Sequence, residues 1–216
     1  MRIWMRFALY LIVFIGYSCS IAGSYDDFFD AIQHDDANTV RRLLLRGFDP
    51  NTVNPKGEHA LMTALREPAL KVIEVLLESP ATKVEVRTER DESPLMLAAL
   101  KGYTDLCKKL IARDADVNKP GWTPLHYAAT GGHLETMRLL LDHHAYLDAA
   151  SPNGSTPLMM AAKYGSIDAV RLLLDSGADP SLKNSLGMTA IEFAAEAQRD
   201  DVVAILVTAI RKRRPG

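Results

Sequence analysis

Four histidines, His126, His133, His143 and His144, fall within one short stretch of the sequence, and imidazole nitrogen is a common ligand of zinc. A helical metalloprotease would also place a glutamate beside two histidines one turn apart, and the sequence contains no such motif. The spacing therefore gives little support to a metal ion. We predict that the protein binds no metal.

Other kinds of catalysis lack their usual motifs as well. The sequence has no Gly-x-Ser-x-Gly nucleophile elbow, no phosphate-binding glycine loop and no dinucleotide-binding fingerprint. Acidic residues are spread along the chain, which is typical of solvated surfaces. Cys107 falls on the apolar stripe of a predicted helix, where a buried and unreactive thiol is expected. We predict no catalytic residue, no cofactor and no enzymatic activity.

The overall composition is that of an ordinary folded protein. Of 216 residues, 48% are hydrophobic and 24% are charged, with 25 Lys and Arg against 27 Asp and Glu. This charge balance does not favour a polyanion as the partner, so we predict that the protein binds no nucleic acid. The length suffices for one domain or for a short array of small repeats.

Residues 1–22 have the pattern of a secretory signal peptide. Arg2 and Arg6 supply the positive start, residues 7–15 form an uncharged apolar run, and Ser20 and Ala22 are small residues at the positions that a signal peptidase reads. We predict cleavage after Ala22. The mature chain would then keep Cys107 as its sole cysteine, without a disulfide framework.

This signal predicts a location in a bacterial periplasm or outside the cell. An alternative is an uncleaved anchor, because residues 7–23 are free of charge and reach the lower limit of a membrane span. The protein would then be held in the inner membrane, facing the periplasm. A lipoprotein site at Cys19 is less favoured, because Gly16 stands where such sites usually carry a leucine-like residue.

One pattern repeats along the rest of the chain at intervals of about 33 residues. Apolar residues mark the same position in each copy, at Phe28, Leu61, Leu95, Leu125, Leu158 and Ile191. The two clearest copies read GWTPLHYAA at 121–129 and GSTPLMMAA at 154–162. The glycine suits a tight turn, the threonine a helix N-cap and the proline the first helical turn. A second apolar helix follows each motif.

These motifs resemble the ankyrin repeat, and the resemblance covers residues 25–210. It implies an all-α solenoid of about six stacked helix-turn-helix repeats with projecting turns or hairpins, called fingers here. We place the repeats at about 25–53, 54–90, 91–120, 121–153, 154–186 and 187–210, followed by a basic tail at 211–216. In this family, histidines at the positions of His126 and His133 bond to the turns, which favours a structural role for both.

The resemblance also implies that a partner protein binds the concave face, which is built from the fingers and the exposed positions of the first helices. The residues predicted to contact it are Leu100, Lys101, Trp122, Tyr146, Lys163, Tyr164 and Met188. Large apolar groups at positions expected to be exposed favour binding. For Trp122 there is an alternative, because the finger beside it is short and the indole could simply pack over it.

The sequence thus predicts a monomeric, non-catalytic, exported scaffold that binds an unidentified partner protein. Two alternatives remain open. One is an accessory, immunity or inhibitor protein for a co-exported enzyme. The other is a membrane-tethered receptor, if the N-terminal segment stays attached.

Overall fold

A computed structural model describes residues 23–213. The predicted signal peptide at residues 1–22 and the last three positions of the predicted tail lie outside the described residues. The chain divides into two compact units at Lys83, and each unit is described separately.

All regular secondary structure longer than one bridge within the described part of the chain is helical. The first unit contains α1 (described residues 23–33), α2 (Ala37–Leu45), α3 (Ala60–Arg66) and α4 (Leu70–Glu78). The second unit contains α5 (Pro94–Leu100), α6 (Thr104–Ile111), α7 (Pro124–Gly131), α8 (Leu134–Asp142), α9 (Pro157–Lys163), α10 (Ile167–Asp175), α11 (Ala190–Glu196) and α12 (Asp200–Arg213). The predicted all-α repeat fold is confirmed.

In the first unit, α2 and α3 both pack against α4. Phe28 of α1 and Leu61 of α3 are almost completely buried, so the repeat-marking positions predicted from the sequence lie in the core. Asp35, on the turn after α1, links this turn to α4. Its Oδ1 accepts a hydrogen bond from the Val72 amide at 3.0 Å.

In the second unit, the first helices of successive repeats, α5, α7, α9 and α11, pack side by side. Each second helix packs against the first helix of its own repeat and against the next second helix. A pair of alanines in each first helix keeps the inner face thin, and the pair is buried in three repeats, at 98/99, 128/129 and 161/162. In the last repeat Ala194 is buried and Ala195 is exposed.

Each first helix of the second unit starts at the same position of its repeat, as the motif predicts. The N-cap residues are Ser93, Thr123, Thr156 and Thr189. In all four, the side chain three residues after the N-cap accepts a hydrogen bond from the N-cap amide. The hydroxyls of Ser93 and Thr156 complete the capping box, because each accepts from the amide three residues later. A glycine with a positive φ precedes Thr123 by two residues, at Gly121, and makes the tight turn that the cap requires.

The last helix of the described chain, α12, has 14 residues and continues to Arg213. The first three positions of the predicted basic tail, residues 211–213, are therefore helical. The Arg213 guanidinium donates to the Gly177 carbonyl oxygen at 2.6 Å, which fixes this helical end on the preceding repeat. None of the helices in the described part of the chain is long and apolar enough to cross a membrane.

Candidate protein-binding surface

Neighbouring fingers of the second unit are joined through their backbones. The last two fingers each close a tight turn: the Ser151 amide donates to the Ser155 carbonyl, and the Asn184 amide donates to the Met188 carbonyl, both at 2.9 Å. The Ser185 amide of one finger donates to the Asn153 carbonyl of the finger before it, also at 2.9 Å. These bonds hold residues at equivalent positions of successive fingers in a row.

Trp122 lies in this finger row, at the start of α7. Its ring stands nearly perpendicular to the His126 ring, with the ring centres 5.2 Å apart. The indole is half-buried, so it packs on its own repeat and still offers part of its surface to solvent. Met188 occupies the same position two repeats later and is half-buried as well.

His126 is a buried structural residue. Its Nδ1 accepts from the Thr123 amide at 3.2 Å, and its Nε2 lies 2.9 Å from the Ser155 carbonyl oxygen of the next repeat. Because Nδ1 accepts an N–H, the proton is on Nε2, which donates to Ser155. Burial lowers the pKa of His126 to about 4 and keeps the ring neutral near pH 7.

The other three histidines of the cluster are placed differently. His133 Nε2 lies 2.9 Å from the Leu100 carbonyl oxygen, and His143 and His144 are exposed at the end of α8. Within residues 23–213, no group of three or more His, Cys, Asp or Glu side chains is arranged to hold a metal ion. Burial raises the pKa of the Cys107 thiol to about 12, so the thiolate that a nucleophile requires is scarce.

A second row of predicted contact residues lies at the opposite ends of the first helices. Leu100 ends α5, and Tyr164 follows α9 with 58% of its surface exposed. Lys163 Nζ lies 2.8 Å from Glu196 Oε2, and it is 5.7 Å from the Tyr164 ring centre and 5.5 Å from that of Phe193. Lys163 therefore acts first as a link between α9 and α11.

The helix ends in this second row approach one another closely. A Cβ atom added to Gly131 would lie 2.8 Å from the Leu100 carbonyl oxygen, and only glycine fits there. Arg199 donates to the carbonyl oxygens of Ala161 at 3.0 Å and Ala162 at 2.9 Å. The row therefore has a backbone that is fixed before any partner arrives.

The seven predicted residues do not form one cluster. The first helices are seven or eight residues long, so Trp122 and Met188 are separated from Leu100, Lys101, Lys163 and Tyr164 by roughly 10 Å along the helix axes. Tyr146 follows a second helix, α8, where its amide donates to Asn118 Oδ1 at 2.7 Å. It is 66% exposed but belongs to neither row.

A third row lies between the other two along the first helices. It consists of the residues two positions after each repeat-marking residue, Leu97, Tyr127, Met160 and Phe193. Met160 precedes Lys163 and Tyr164 by three and four residues, so all three share one helical face. Tyr127 and Met160 are half-buried. None of the four is among the residues predicted to contact a partner, although the recurrence of a bulky residue beside the small alanines was a usable signal.

The family of the chain follows from the match to a family model. The model described as ankyrin repeats (3 copies) matches residues 28–120, 95–184 and 147–214. The chain belongs to the ankyrin repeat family. Repeats of this family generally mediate protein–protein interaction and are typically non-catalytic.

Curated relatives match over parts of the chain. Human neurogenic locus notch homolog protein 4 is 43% identical over 77 residues, which are 36% of this chain and 4% of that protein. The ankyrin repeat and KH domain-containing protein mask of Drosophila melanogaster is 35% identical over 107 residues, 48% of this chain and 2% of the relative. Glycerophosphocholine phosphodiesterase gde1 of Schizosaccharomyces pombe is 33% identical over 98 residues, which are 44% of this chain and 9% of that protein.

The chain therefore spans less than a tenth of the length of each of these relatives. Their similarity concerns the repeats, and the activity of the whole phosphodiesterase is not transferred by a match of this extent. The relatives are eukaryotic, so they give no support to the predicted bacterial origin.

Proposed function

We propose that this protein is a non-catalytic binding module whose partner contacts the first-helix face of the second unit. This face is defined by Trp122, Tyr127, Met160 and Tyr164, with Leu100 and Met188 at its margins. The observation that carries the proposal is the group of large, partly exposed apolar side chains on or beside the neighbouring helices α7 and α9. Isolated apolar residues on a surface are common, whereas contiguous ones indicate an interaction site.

The rigidity of the face favours binding. Successive repeats are joined by hydrogen bonds from His126, His133 and Arg199 to backbone carbonyl groups of neighbouring repeats. The anchoring side chains therefore stand on a scaffold that needs little ordering when a partner binds, which lowers the entropic cost of association. Aromatic and methionine side chains are also enriched in interface cores.

The test compares two exposed tyrosines. Tyr164 lies on the first-helix face and Tyr146 lies off it, and both are more than half exposed, so replacing either with alanine should leave folding intact. Wild-type protein, Tyr164→Ala and Tyr146→Ala are used for affinity capture with mild cross-linking from the cells that produce the protein.

We expect one partner protein to be retained by wild type and Tyr146→Ala and lost with Tyr164→Ala. Purified partner should then bind Tyr164→Ala at least about tenfold more weakly, as for an interface anchor. Equal retention by all three proteins would contradict this placement of the interface.

We also propose that residues 1–22 direct export of the protein to a periplasm or to the outside of the cell. Arg2, Arg6 and the apolar run at 7–15 support this, as does the small residue Ala22 before the proposed cut. Mass spectrometry of protein from fractionated cells tests it. A mature chain starting at Gly23 outside the cytoplasm is expected. A full-length, detergent-extracted chain would instead indicate an anchor.

A further inference from the structure

The second helices of the last two repeats enclose an open groove of about 490 Å³. Its apolar lining comes from Leu174 of α10 and from Ala204, Ile205 and Ala209 of α12. The register of the repeats explains the space. Ala204 and Ala209 stand one repeat after Arg171 and Ser176, so small side chains replace larger ones on the last helix.

Positive charge surrounds this groove. Arg171, Lys212 and Arg213 line it together with a single acid, Asp175. Arg213 is held by the Gly177 carbonyl and by Asp179 at 3.5 Å, and Arg171 lies 3.6 Å from Asp168. Lys212 is exposed and forms no ion pair with any residue between 23 and 213.

A helix C-terminus attracts cations through its dipole, so the charges alone would not indicate a ligand. Their coincidence with an open apolar groove does. The volume lies within the range of roughly 300–1,000 Å³ that is typical of ligand sites. The combination of an apolar floor and a cationic rim is complementary to an apolar segment that carries carboxylates.

We propose that the groove between α10 and α12 is a second docking site, which takes an acidic amphipathic peptide segment of a partner protein. Apolar side chains of the segment lie against Leu174, Ile205 and Ala209, and a carboxylate pairs with Lys212. This site uses second helices, so it is separate from the first-helix face and does not depend on the function proposed above.

An anionic membrane offers similar chemistry but fits the molecule less well. Residues 23–213 carry 22 Lys and Arg against 27 Asp and Glu, so acidic groups outnumber basic ones in this part of the chain. A membrane is a broad plane of negative charge, and it repels acidic groups that come within a Debye length of it, roughly 8 Å at physiological salt. A peptide segment occupies the groove alone and avoids that repulsion.

The test uses a phage-displayed library of random dodecapeptides, selected on the full chain. Thr208 lines the groove and is exposed, so Thr208→Trp fills the groove without burying new groups in the core. Lys212→Glu reverses the charge at the rim. Lys71→Glu makes the same charge change on α4 of the first unit and is the matched control. Melting curves confirm that all variants are folded.

We expect the selected peptides to combine acidic and large apolar residues. A labelled member should bind wild type, Lys71→Glu and Tyr164→Ala alike, and should bind Thr208→Trp at least about tenfold more weakly. Lys212→Glu should weaken it severalfold, with less effect at high salt. Failure to enrich peptides, enrichment of basic ones, or equal binding to Thr208→Trp would overturn the proposal.

A final experiment distinguishes binding of a membrane from binding of a peptide. The protein is sedimented with phosphatidylglycerol vesicles and with phosphatidylcholine vesicles. Lysine-dependent binding to the anionic vesicles, with no enrichment of peptides, would replace the proposed segment by a lipid surface. Retained peptide binding with no vesicle binding is the expected result.

Discussion

The Nε2 atom of His126 lies 2.9 Å from the carbonyl oxygen of Ser155, and this hydrogen bond joins α7 to the turn of the next repeat. On the other side of the ring, Nδ1 receives the Thr123 amide that opens the same helix. One neutral imidazole therefore completes a helix cap and a link between repeats. Protonation would remove the acceptor that the cap requires.

The first prediction concerns stability against pH. Burial lowers the pKa of His126 from 6.5 to about 4 in the folded chain, so the unfolded chain binds the proton more readily. The neutral ring therefore contributes fully to the free energy of unfolding above about pH 6.5. This stabilisation is lost as the pH falls from 6.5 towards 4, and the total loss is about 3 kcal/mol. Urea unfolding at a series of pH values measures it.

His126→Gln should lower the free energy of unfolding near pH 7 and should reduce the decline between pH 6.5 and 4. His143→Gln, at an exposed position, is the control and should keep the wild-type decline. If His126→Gln and wild type lose stability in parallel over this range, the histidine is not the titrating group.

The second prediction distinguishes two leucines of the second unit. Leu173 is fully buried on α10, whereas Leu186 at a fingertip is 79% exposed. Leu173→Ala should lower the free energy of unfolding by about 2–5 kcal/mol, because it leaves a cavity. Leu186→Ala should change it by less than about 0.5 kcal/mol. Thermal or urea melts measure both changes. If Leu173→Ala left the free energy of unfolding unchanged, the apolar side of α10 would not be part of the core.

The third prediction distinguishes two reasons why a position requires glycine: lack of space for a side chain and a positive φ. At Gly165 an added Cβ would collide with the Ala129 carbonyl oxygen, whereas at Gly47 it would meet open space but the φ of +88° is unfavourable. Gly47→Ala should cost about 1–2 kcal/mol from its backbone alone. Gly165→Ala should cost more, because α7 and α9 must move apart. Equal costs by urea unfolding would show that the helices adjust without strain.

The fourth prediction tests the single described thiol. Cys107 is fully buried, and its pKa is raised to about 12. In a Cys19→Ser chain, iodoacetamide at pH 8 should alkylate Cys107 slowly in the native protein and quickly in concentrated urea. Mass spectrometry over time gives both rates. Rapid native alkylation would show that α6 opens frequently or that the thiol is accessible.

Much of the fold could be predicted because each repeat specifies its own local structure. Thr156 and Pro157 start a helix wherever they occur together before an apolar stripe, and Leu158 then lies in the core. Since contacts are made with adjacent repeats, a local pattern is enough to define the architecture. A local pattern does not define where α12 ends, because the bond that fixes this end, from Arg213 to the Gly177 carbonyl, spans 36 positions of sequence.

The candidate binding surface was harder to predict. Repeat position correctly separated Tyr164, which is exposed, from buried neighbours such as Ala162. It could not show that Lys163 is paired with Glu196 of the next repeat, because that depends on side-chain geometry across two helices. It also could not separate the binding and packing roles of Trp122, which is half-buried and in contact with His126.

The hydrogen bonds that join the repeats of the second unit have an evolutionary consequence. The acceptors for His126, His133 and Arg199 are backbone carbonyl oxygens, which every amino acid possesses. A residue such as Leu100 can therefore be exchanged without removing the acceptor it supplies. Mutations of residues such as Leu100 on the first-helix face thus leave the joints between repeats in place, so selection can alter what the surface recognises while the architecture persists.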